Sequence, residues 1–312
     1  MRKPRALRPG DRIALVAPAS PFPRESFDAG VAELRRLGYE PVYDESVFAR
    51  HRYVAGDAAL RADSFRRAWT DPSIAALIAV RGGYGSVQLL PRLDPREIAK
   101  TPKAFIGYSD NTSLIDFLTS RCGVVAFHGP MIDGRLAKGE QAYDRDTFTR
   151  VLTQAAPAGC IRHAQLEALR GGDASGVLVG GTLTQLLASL GTPYAFDPPQ
   201  DHVLFIDEVS ERPYRIDRML TQLRLSGLLA RASAIVFGEM PRCDEPGDAG
   251  PAIKPILAEL LADFRGPVLF GLPSGHTDGA CMTLPFGVRA RVVTGPEPAL
   301  IIEEAAVVVS QT

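Results

Sequence analysis

The sequence predicts an α/β domain in the N-terminal half, joined to a mixed α+β domain, and two observations carry this prediction. In the first half, short apolar runs at residues 13–17, 75–80 and 104–107 alternate with segments of helical periodicity. This alternation is typical of parallel β-α-β units, with helices on both faces of one sheet. In the second half the predicted strands and helices do not alternate regularly, which indicates a mixed domain. A chain of 312 residues is long enough for both, at roughly 100–200 residues per domain.

The elements of the first half follow from apolar spacing and from residues that end helices. The apolar run at 13–17 stops at Pro18 and predicts a buried strand. Apolar residues recur at helical spacing over 23–37, and Gly38 ends the helix that they predict. The same reasoning predicts further strands at 40–43 and 124–127, helices at 58–69, 87–93 and 111–122, and a short turn at 95–100.

A change of composition near the middle of the chain predicts the connection between the domains. Residues 155–159 and 170–175 are small or polar and look like loops. We therefore place an N-terminal domain at 1–160, a linker at 161–175 and a C-terminal domain at 176–312. The C-terminal domain contains predicted strands at 177–179, 203–206, 234–237 and 268–270, a helix that ends near 190, another at 212–225, and a hairpin formed by 289–293 and 299–302.

Composition and charge exclude several classes of partner. The formal net charge is −1, so the charge balance favours neither nucleic acid nor an acidic membrane surface as a partner. The four cysteines contain no CxxC pair, and we predict no metal site. The sequence shows no apolar run of signal-peptide or membrane-spanning type, so a cytoplasmic protein is expected.

The turn after the strand at 104–107 offers a candidate nucleophile. It reads Gly107-Tyr-Ser-Asp-Asn111, and the small Gly107 allows the chain to turn sharply before Ser109. Ser109 would lie at a helix N-terminus, where unpaired N–H groups and the helix dipole favour developing negative charge. The pattern resembles a nucleophile elbow, although Asn111 replaces the second glycine of GxSxG. Taken alone, this local pattern favours a simple helix N-cap at Ser109.

A glycine-rich loop follows the strand at 75–80. The segment Arg81-Gly-Gly-Tyr-Gly85 lets the backbone approach a ligand and aim N–H groups at an anion. It lacks the spacing of a dinucleotide-binding fingerprint. We interpret it as an oxyanion loop beside Ser109, with a simple tight turn as the alternative. Because ligands bind beyond the carboxyl ends of parallel strands, both loops are expected at one site.

Histidines and acids also follow predicted strands. His276 lies between glycines in a loop directly after an apolar strand, and His128 follows another strand. Asp207 and Glu208 come after a third apolar run, where an acid can orient an imidazole. Taken singly, a solvated surface histidine and an acidic pair that binds nearby arginines are the simpler explanations. The chain order of serine, acid and histidine, each just past a strand, favours a serine hydrolase.

Several sequence blocks spread over nearly the whole chain carry a family resemblance. They read IALVAP (13–18), VRGGYG (80–85), IGYSD (106–110), FHGPM (127–131), GVLVGGTLTQLLASLGTPY (176–194), VLFIDEVSERPYRIDRML (203–220), GH (275–276) and TLPFG (283–287). Together and in this order they resemble the LD-carboxypeptidase family, which includes muramoyltetrapeptide carboxypeptidases and microcin-immunity serine hydrolases.

The resemblance implies a Ser-Glu-His triad in an active site between two domains, and a homodimer. In this sequence the implied nucleophile is Ser109 and the implied base is His276. The family begins its acidic block with a catalytic Glu followed by Asp, whereas this chain reads Asp207-Glu208. An ungapped comparison makes Asp207 the triad acid and leaves Glu208 as the alternative acid. Neighbouring strand residues point to opposite faces, so only one of them should reach His276.

The function expected from these features is that of a serine carboxypeptidase without a metal or organic cofactor. Backbone N–H groups of Gly83 and Asp110 are predicted to hold the oxyanion, and Arg81 to pair with the substrate carboxylate. The resemblance implies a murein tetrapeptide as the small peptide substrate, cut before its terminal D-alanine during cell-wall recycling. Within the family, the alternative is the hydrolysis of peptide-nucleotide or acyl-aminoacyl antibiotics.

Two alternatives from other classes remain at this point. One is a non-catalytic, two-domain protein that binds a small molecule, against which the missing export signal counts. The other is an ordinary α/β-hydrolase esterase, against which the missing GxSxG and the distinct second domain count. Loops around the pocket decide the substrate, and residues 243–250 are predicted to form one of them.

Overall fold

Two β-sheets form the framework of the protein in the computed structural model, which describes residues 1–245 and 252–309. Residues 246–250 of the predicted pocket loop lie outside the described residues. The strands are β1 Arg12–Val16, β2 Glu40–Val42, β3 Ile74–Ala79, β4 Ala104–Gly107, β5 Ala126–His128, β6 Pro157–Ile161, β7 Glu167–Arg170, β8 Asp173–Thr182, β9 His202–Asp207, β10 Ala232–Gly238, β11 Val268–Leu272, β12 Leu284–Phe286, β13 Arg289–Val293 and β14 Ala299–Ala305. The helices are α1 Arg24–Arg36, α2 Ala58–Thr70, α3 Pro95–Lys100, α4 Thr112–Asp116, α5 Arg145–Thr153, α6 Leu183–Ala188, α7 Pro213–Leu225 and α8 Ile253–Leu260.

The first sheet has the strand order β12-β5-β4-β3-β1-β2, and its strands β1 to β5 run parallel. All six residues of β3 are buried, as expected for a central strand of a parallel sheet covered on both faces. The predicted α/β fold of the N-terminal half is therefore confirmed. Because β3 and β4 are parallel neighbours, the glycine-rich loop and the turn with Ser109 leave the same edge of the sheet.

The second sheet has the strand order β6-β14-β13-β8-β9-β10-β11-β7. Strands β8 to β11 run parallel, and the remaining pairs are antiparallel, so the predicted mixed character is confirmed. The predicted hairpin corresponds to the antiparallel pair β13 and β14. Asp207 is the last residue of β9, and the loop that carries His276 follows β11, so both leave one edge of this sheet.

The segment predicted as a linker contains regular secondary structure. Residues 161–175 are not a free linker, because they contain β7 and the first residues of β8. Strand β6 also belongs to the second sheet, although the sequence around it looks like a loop. It is an edge strand that begins at Pro157, where a missing N–H costs no ladder hydrogen bond. Conversely, β12 lies in the C-terminal half of the sequence but pairs antiparallel with β5 of the first sheet.

Alternation along β9 decides which side chains face the first sheet. Val203 and Phe205 pack into the larger apolar cluster, which also contains the side chains of the first sheet. Leu204 and Ile206 pack into a separate cluster on the other face. Asp207 therefore continues the face that looks toward the first sheet. Within the described ranges, no helix is long and apolar enough to span a membrane.

Candidate active site

Ser109 occupies a strained turn at the carboxyl end of β4. Its φ is +64°, a left-handed conformation that costs a non-glycine residue roughly 1–3 kcal/mol and recurs at functional sites. A Cβ on Gly107 would lie 3.1 Å from Asn111 Cβ, so this position needs a small residue. Asn111 donates from Nδ2 to the carbonyl oxygens of Tyr108 at 3.2 Å and Arg81 at 3.3 Å. The turn has the geometry of a nucleophile elbow, and the N-cap of α4 is Asn111 rather than Ser109.

The glycine-rich loop after β3 lies directly against Ser109. A Cβ on Gly82 would lie 2.9 Å from Ser109 Cβ and 3.1 Å from its Oγ, so Gly82 is the glycine that makes room for the serine. Gly83 follows with a φ of +100° and faces Ser20, whose hydroxyl group would overlap an added Cβ. The loop therefore needs glycine at both positions, and the prediction singled out only Gly83.

Two hydrogen bonds from Ser86 to Asp110 fix this loop to the turn. The Ser86 N–H donates to Asp110 Oδ2 at 2.8 Å, and Ser86 Oγ donates to the Asp110 carbonyl oxygen at 2.5 Å. Arg61, buried beneath the loop, donates to the carbonyl oxygen of Gly85 at 2.8 Å. Burial raises the pKa of the Asp110 carboxyl, against the opposing hydrogen bonds from Ser86 and Gly85. The side chain of Asp110 thus joins the two segments that are predicted to bind an oxyanion.

His276 and Asp207 form the charged pair of the site. Asp207 is completely buried, and its Oδ2 accepts a hydrogen bond from His276 Nδ1 at 2.7 Å. The backbone N–H of His276 lies 3.2 Å from each carboxylate oxygen. Asp207 therefore holds both the backbone and the ring of His276. Because a carboxylate only accepts, Nδ1 carries the proton and Nε2 is left to take one. Burial lowers the pKa of His276, but the Asp207 carboxylate outweighs it, and the net pKa lies above the usual value.

Glu208 points away from His276. Its Oε2 accepts from the Thr184 hydroxyl group at 2.6 Å and from the Thr184 N–H at 3.0 Å, near the start of α6. Burial raises the pKa of Glu208. The two acids separate because consecutive residues at the end of a strand face opposite sides. Of the two predicted acids, Asp207 is the one that the structure brings to the histidine.

Arg135, which the sequence did not single out, organises the loop that carries His276. Its guanidinium group donates to the carbonyl oxygens of Gly275 at 2.9 Å, Thr277 at 2.7 Å and Gly279 at 3.1 Å. The bond to Gly275 spans 140 positions of the sequence, and no local pattern around Arg135 indicates it. Arg135 therefore ties the loop of the second sheet to a segment from the first half of the chain.

Tyr108 brings the nucleophile turn next to the histidine. Its ring meets the His276 imidazole edge to face, with the ring centroids 5.2 Å apart, and Ser109 is the next residue in the chain. The structure thus brings His276 and Asp207 into contact and places the turn of Ser109 beside them. Arg81 leaves the same edge, half exposed, and its guanidinium group pairs with Asp133 at 3.3 Å. Its binding of a substrate carboxylate stays a prediction.

Ser109 lies in a strained strand-to-helix turn, and His276 beside that turn is bound through Nδ1 to a buried acid. This arrangement is typical of serine hydrolases. Family models described as LD-carboxypeptidase N-terminal domain and LD-carboxypeptidase C-terminal domain match residues 13–129 and 175–292. The murein tetrapeptide carboxypeptidase of Pseudomonas aeruginosa is 33% identical, over 85% of this chain and 88% of its own length. A crystal structure of muramoyltetrapeptide carboxypeptidase from Oxalobacter formigenes superposes with a TM-score of 0.82 at 32% identity, covering 93% of this chain and 97% of that one. The microcin C7 self-immunity protein of Escherichia coli is 27% identical, over 91% of this chain and 90% of its own length.

The chain belongs to the LD-carboxypeptidase family, as its ordered sequence blocks predicted. It is therefore a serine hydrolase of the carboxypeptidase class. The alternatives of a non-catalytic binding protein and of an ordinary esterase do not hold. The two-domain α/β architecture that the resemblance implied is confirmed as well.

Proposed function

We propose that the protein is a serine carboxypeptidase that releases the terminal D-alanine from murein tetrapeptides. The observation that carries this proposal is the buried Asp207–His276 pair beside the strained turn of Ser109. The similarity to the murein tetrapeptide carboxypeptidase of Pseudomonas aeruginosa supports the choice of substrate. We place the reaction in the cytoplasm, in the recycling of cell-wall peptides, and expect the active protein to be a homodimer.

In the acylation step, Ser109 is the nucleophile and His276 is the general base. His276 Nε2 takes the hydroxyl proton while Ser109 Oγ bonds to the carbonyl carbon that precedes the terminal residue. The backbone N–H groups of Gly83 and Asp110 bind the oxyanion, and each such donor typically contributes about 3–4 kcal/mol. When the C–N bond breaks, His276 returns the proton to the leaving amine, and D-alanine departs from the acyl-enzyme.

In the deacylation step, water takes the place of the leaving amine. His276 removes one proton from the water, whose oxygen bonds to the acyl carbon, and then returns that proton to Ser109 Oγ as the ester breaks. Asp207 stabilises the imidazolium that forms in both steps and holds its ring in place. Arg81 pairs with the carboxylate of the terminal residue.

Release of D-alanine from the tetrapeptide by wild type and by Ser109→Ala tests this mechanism. We expect Ser109→Ala to lower kcat on the order of 10⁶-fold, as loss of a nucleophilic serine does in a comparable triad. Ser113→Ala, the same change four residues on in α4, is the matched control and should retain wild-type activity. Equal release by wild type and Ser109→Ala would overturn the assignment of the nucleophile.

Hydrolysis of an acylated aminoacyl-nucleotide is the second candidate function. The similarity to the microcin C7 self-immunity protein of Escherichia coli supports it. Both substrates undergo attack on a carbonyl carbon, so the same side chains serve either reaction, and the comparison of kcat/KM decides between them. If kcat/KM is higher for the acylated aminoacyl-nucleotide than for the tetrapeptide, the nucleotide is the substrate and the first proposal is wrong. Sedimentation of the purified protein tests the expected homodimer.

A further inference from the structure

His128 is a buried histidine that the mechanism above does not use. It ends β5 and is 0% exposed, so it is not the solvated surface residue that its sequence context favours. Its ring stacks on Phe286 with centroids 5.4 Å apart and meets Phe205 edge to face at 5.1 Å. An imidazole among aromatic rings must find hydrogen-bond partners that offset the loss of its hydration.

The hydrogen bonds of His128 assign the position of its proton. Its Nδ1 lies 3.0 Å from Ser274 Oγ, which in turn lies 3.0 Å from the Met282 carbonyl oxygen. A carbonyl oxygen only accepts, so the hydroxyl proton of Ser274 points to Met282, and Nδ1 of His128 donates the other bond. Nε2 is then an unprotonated, buried nitrogen without a partner in the part of the chain that the structure describes. Burial lowers the pKa of His128 to about 4, so the ring is neutral near neutral pH.

His128 connects the strand of the nucleophile with the loop of the base. In the first sheet it pairs with Gly107 on β4, two residues before Ser109, and with β12 on its other side. Its side chain binds Ser274, two residues before His276. One residue thus contacts both segments that carry the reacting side chains.

Gly275 shows how closely the ring, the acid and the loop are packed. Its φ is +77°, and an added Cβ would overlap Asp207 Oδ2 and lie 2.6 Å from His128 Cε1. The ring edge of His128 and the carboxylate of Asp207 therefore lie against the same residue. A shift of Ser274 would move Gly275, and with it the N–H and the ring of His276 relative to Asp207.

We propose that His128 is a positioning residue for the general base, whose Nδ1–H donor holds Ser274 and thereby sets the His276 ring against Asp207. This inference rests on the proposed function, because it takes His276 to be the base. His128 acts through the loop and not on the substrate. Among the described residues, only the Nδ1 side of its ring makes a hydrogen bond, and that bond goes to the loop of His276.

Two amide substitutions test whether the position of the hydrogen-bond donor matters, or only the presence of a polar side chain. In His128→Asn, the amide nitrogen takes the place of Nδ1 and still donates to Ser274. In His128→Gln, the amide lies further out, toward the aromatic rings. We expect His128→Asn to stay within about tenfold of the wild-type kcat, the equivalent of one altered hydrogen bond. We expect His128→Gln to lose about 100-fold in kcat with KM unchanged, because small displacements of a catalytic group have effects of that size.

The pH profile is a readout that a merely structural role would not move. Contact with Asp207 raises the pKa of His276, so a loosened contact in His128→Gln should shift the acidic limb of kcat/KM to lower pH. In His128→Asn the limb should stay where it is in the wild type. Nitrogen-15 NMR of histidine-labelled protein reports the tautomer of His128 and the Nδ1–H of His276 without any substrate.

His202 provides the matched control. It is also buried, its Nδ1 bonds to the Pro199 carbonyl oxygen at 2.8 Å, and its Nε2 has no partner among the described residues. It lies at the opposite end of β9 from Asp207, about 16 Å away over five residue steps. His202→Gln should therefore lower thermal stability without changing kcat or the acidic limb.

The outcomes separate this inference from the proposed function. The positioning role would be overturned by a wild-type kcat in His128→Gln, or by equal losses of kcat in the two His128 variants. If Ser109→Ala is inactive at the same time, the proposed mechanism still holds. If Ser109→Ala were fully active, the proposed function would fail, and NMR alone would decide on His128. In that case an unchanged His276 Nδ1–H signal in His128→Gln would overturn the inference, and its loss would support it.

Discussion

Replacing the two candidate acids one at a time gives the sharpest test of the site. Asp207→Asn keeps the size of the side chain and one oxygen for the backbone N–H of His276. It removes the charge that stabilises the imidazolium, and its amide group can turn toward Nδ1 as a donor. The ring would then carry its proton on Nε2, where the base must be unprotonated. The substitution therefore removes the negative charge beside the His276 ring and also changes the tautomer of that ring.

The structure sets the expected difference between the two variants. Asp207 lies 2.7 Å from His276 Nδ1 and accepts from the backbone N–H through both oxygens at 3.2 Å. In a Ser-His-Asp triad the same amide substitution lowers kcat about 10⁴-fold, which corresponds to about 5.4 kcal/mol. In Glu208→Gln the amide oxygen still accepts from both donors of Thr184, and only the bond from the Val209 N–H at 3.1 Å is lost, so kcat should change by less than about tenfold, or 1.4 kcal/mol.

The assay is the release of D-alanine at saturating tetrapeptide, with thermal unfolding to show that both variants are folded. A ranking in which Glu208→Gln loses more kcat than Asp207→Asn would refute the reasoning and move the triad acid to Glu208. Equal small losses would show that neither acid orients His276 during the reaction. A folded Asp207→Asn variant with wild-type kcat would have the same meaning.

Three further predictions concern pH, the glycine-rich loop and the base loop. Because the pKa of His276 lies above its usual value and the base acts only when unprotonated, kcat/KM should fall as the pH drops through that raised pKa. A flat profile below neutral pH would contradict this. Asp110→Ala leaves the buried N–H of Ser86 without its acceptor and should lower kcat about tenfold, whereas Asp110→Asn keeps an oxygen there and should restore most of it. Steady-state kinetics that rank the two variants in the opposite order would argue against a role for the Ser86–Asp110 hydrogen bonds. Gly275→Ala should lower the free energy of unfolding by more than about 2 kcal/mol because its Cβ would overlap the Asp207 carboxylate, whereas Gly279→Ala, where a Cβ meets open space, should melt like the wild type.

The sequence predicted the parts of the site that lie beside strong local signals. Ser109, Asp207 and His276 each follow an apolar strand, and the carboxyl ends of parallel strands converge, so their meeting could be foreseen. The contacts that hold them could not. Arg135 reaches Gly275 across 140 positions, and His128 reaches the same loop across 146. No local periodicity records such a pairing, because it exists only once the two sheets have packed.

Strands β7 and β12 were not predicted from the sequence, for a related reason. Strand β12 has three residues with a proline in the middle, too few for a period of two to be recognised. Strand β7 lies within a polar stretch that reads as a connection, and it becomes a strand only by pairing with the edge at β11. Edge strands of this kind are defined by the sheet that they join, so the segment at 161–175 looks like a connection in the sequence although it contains β7.

His276, the proposed base, lies on a bridge between the two sheets, and this arrangement explains why its supports come from distant segments. The chain leaves the second sheet after Leu272 and enters the first sheet at Leu284, with His276 in between. The nucleophile turn belongs to the first sheet and the acid to the second, so the bridge sets the base relative to both. Arg135 and His128, both from the first half of the chain, bind the carbonyl groups and the serine of this bridge. The geometry of the proposed triad therefore depends on how the two sheets are joined.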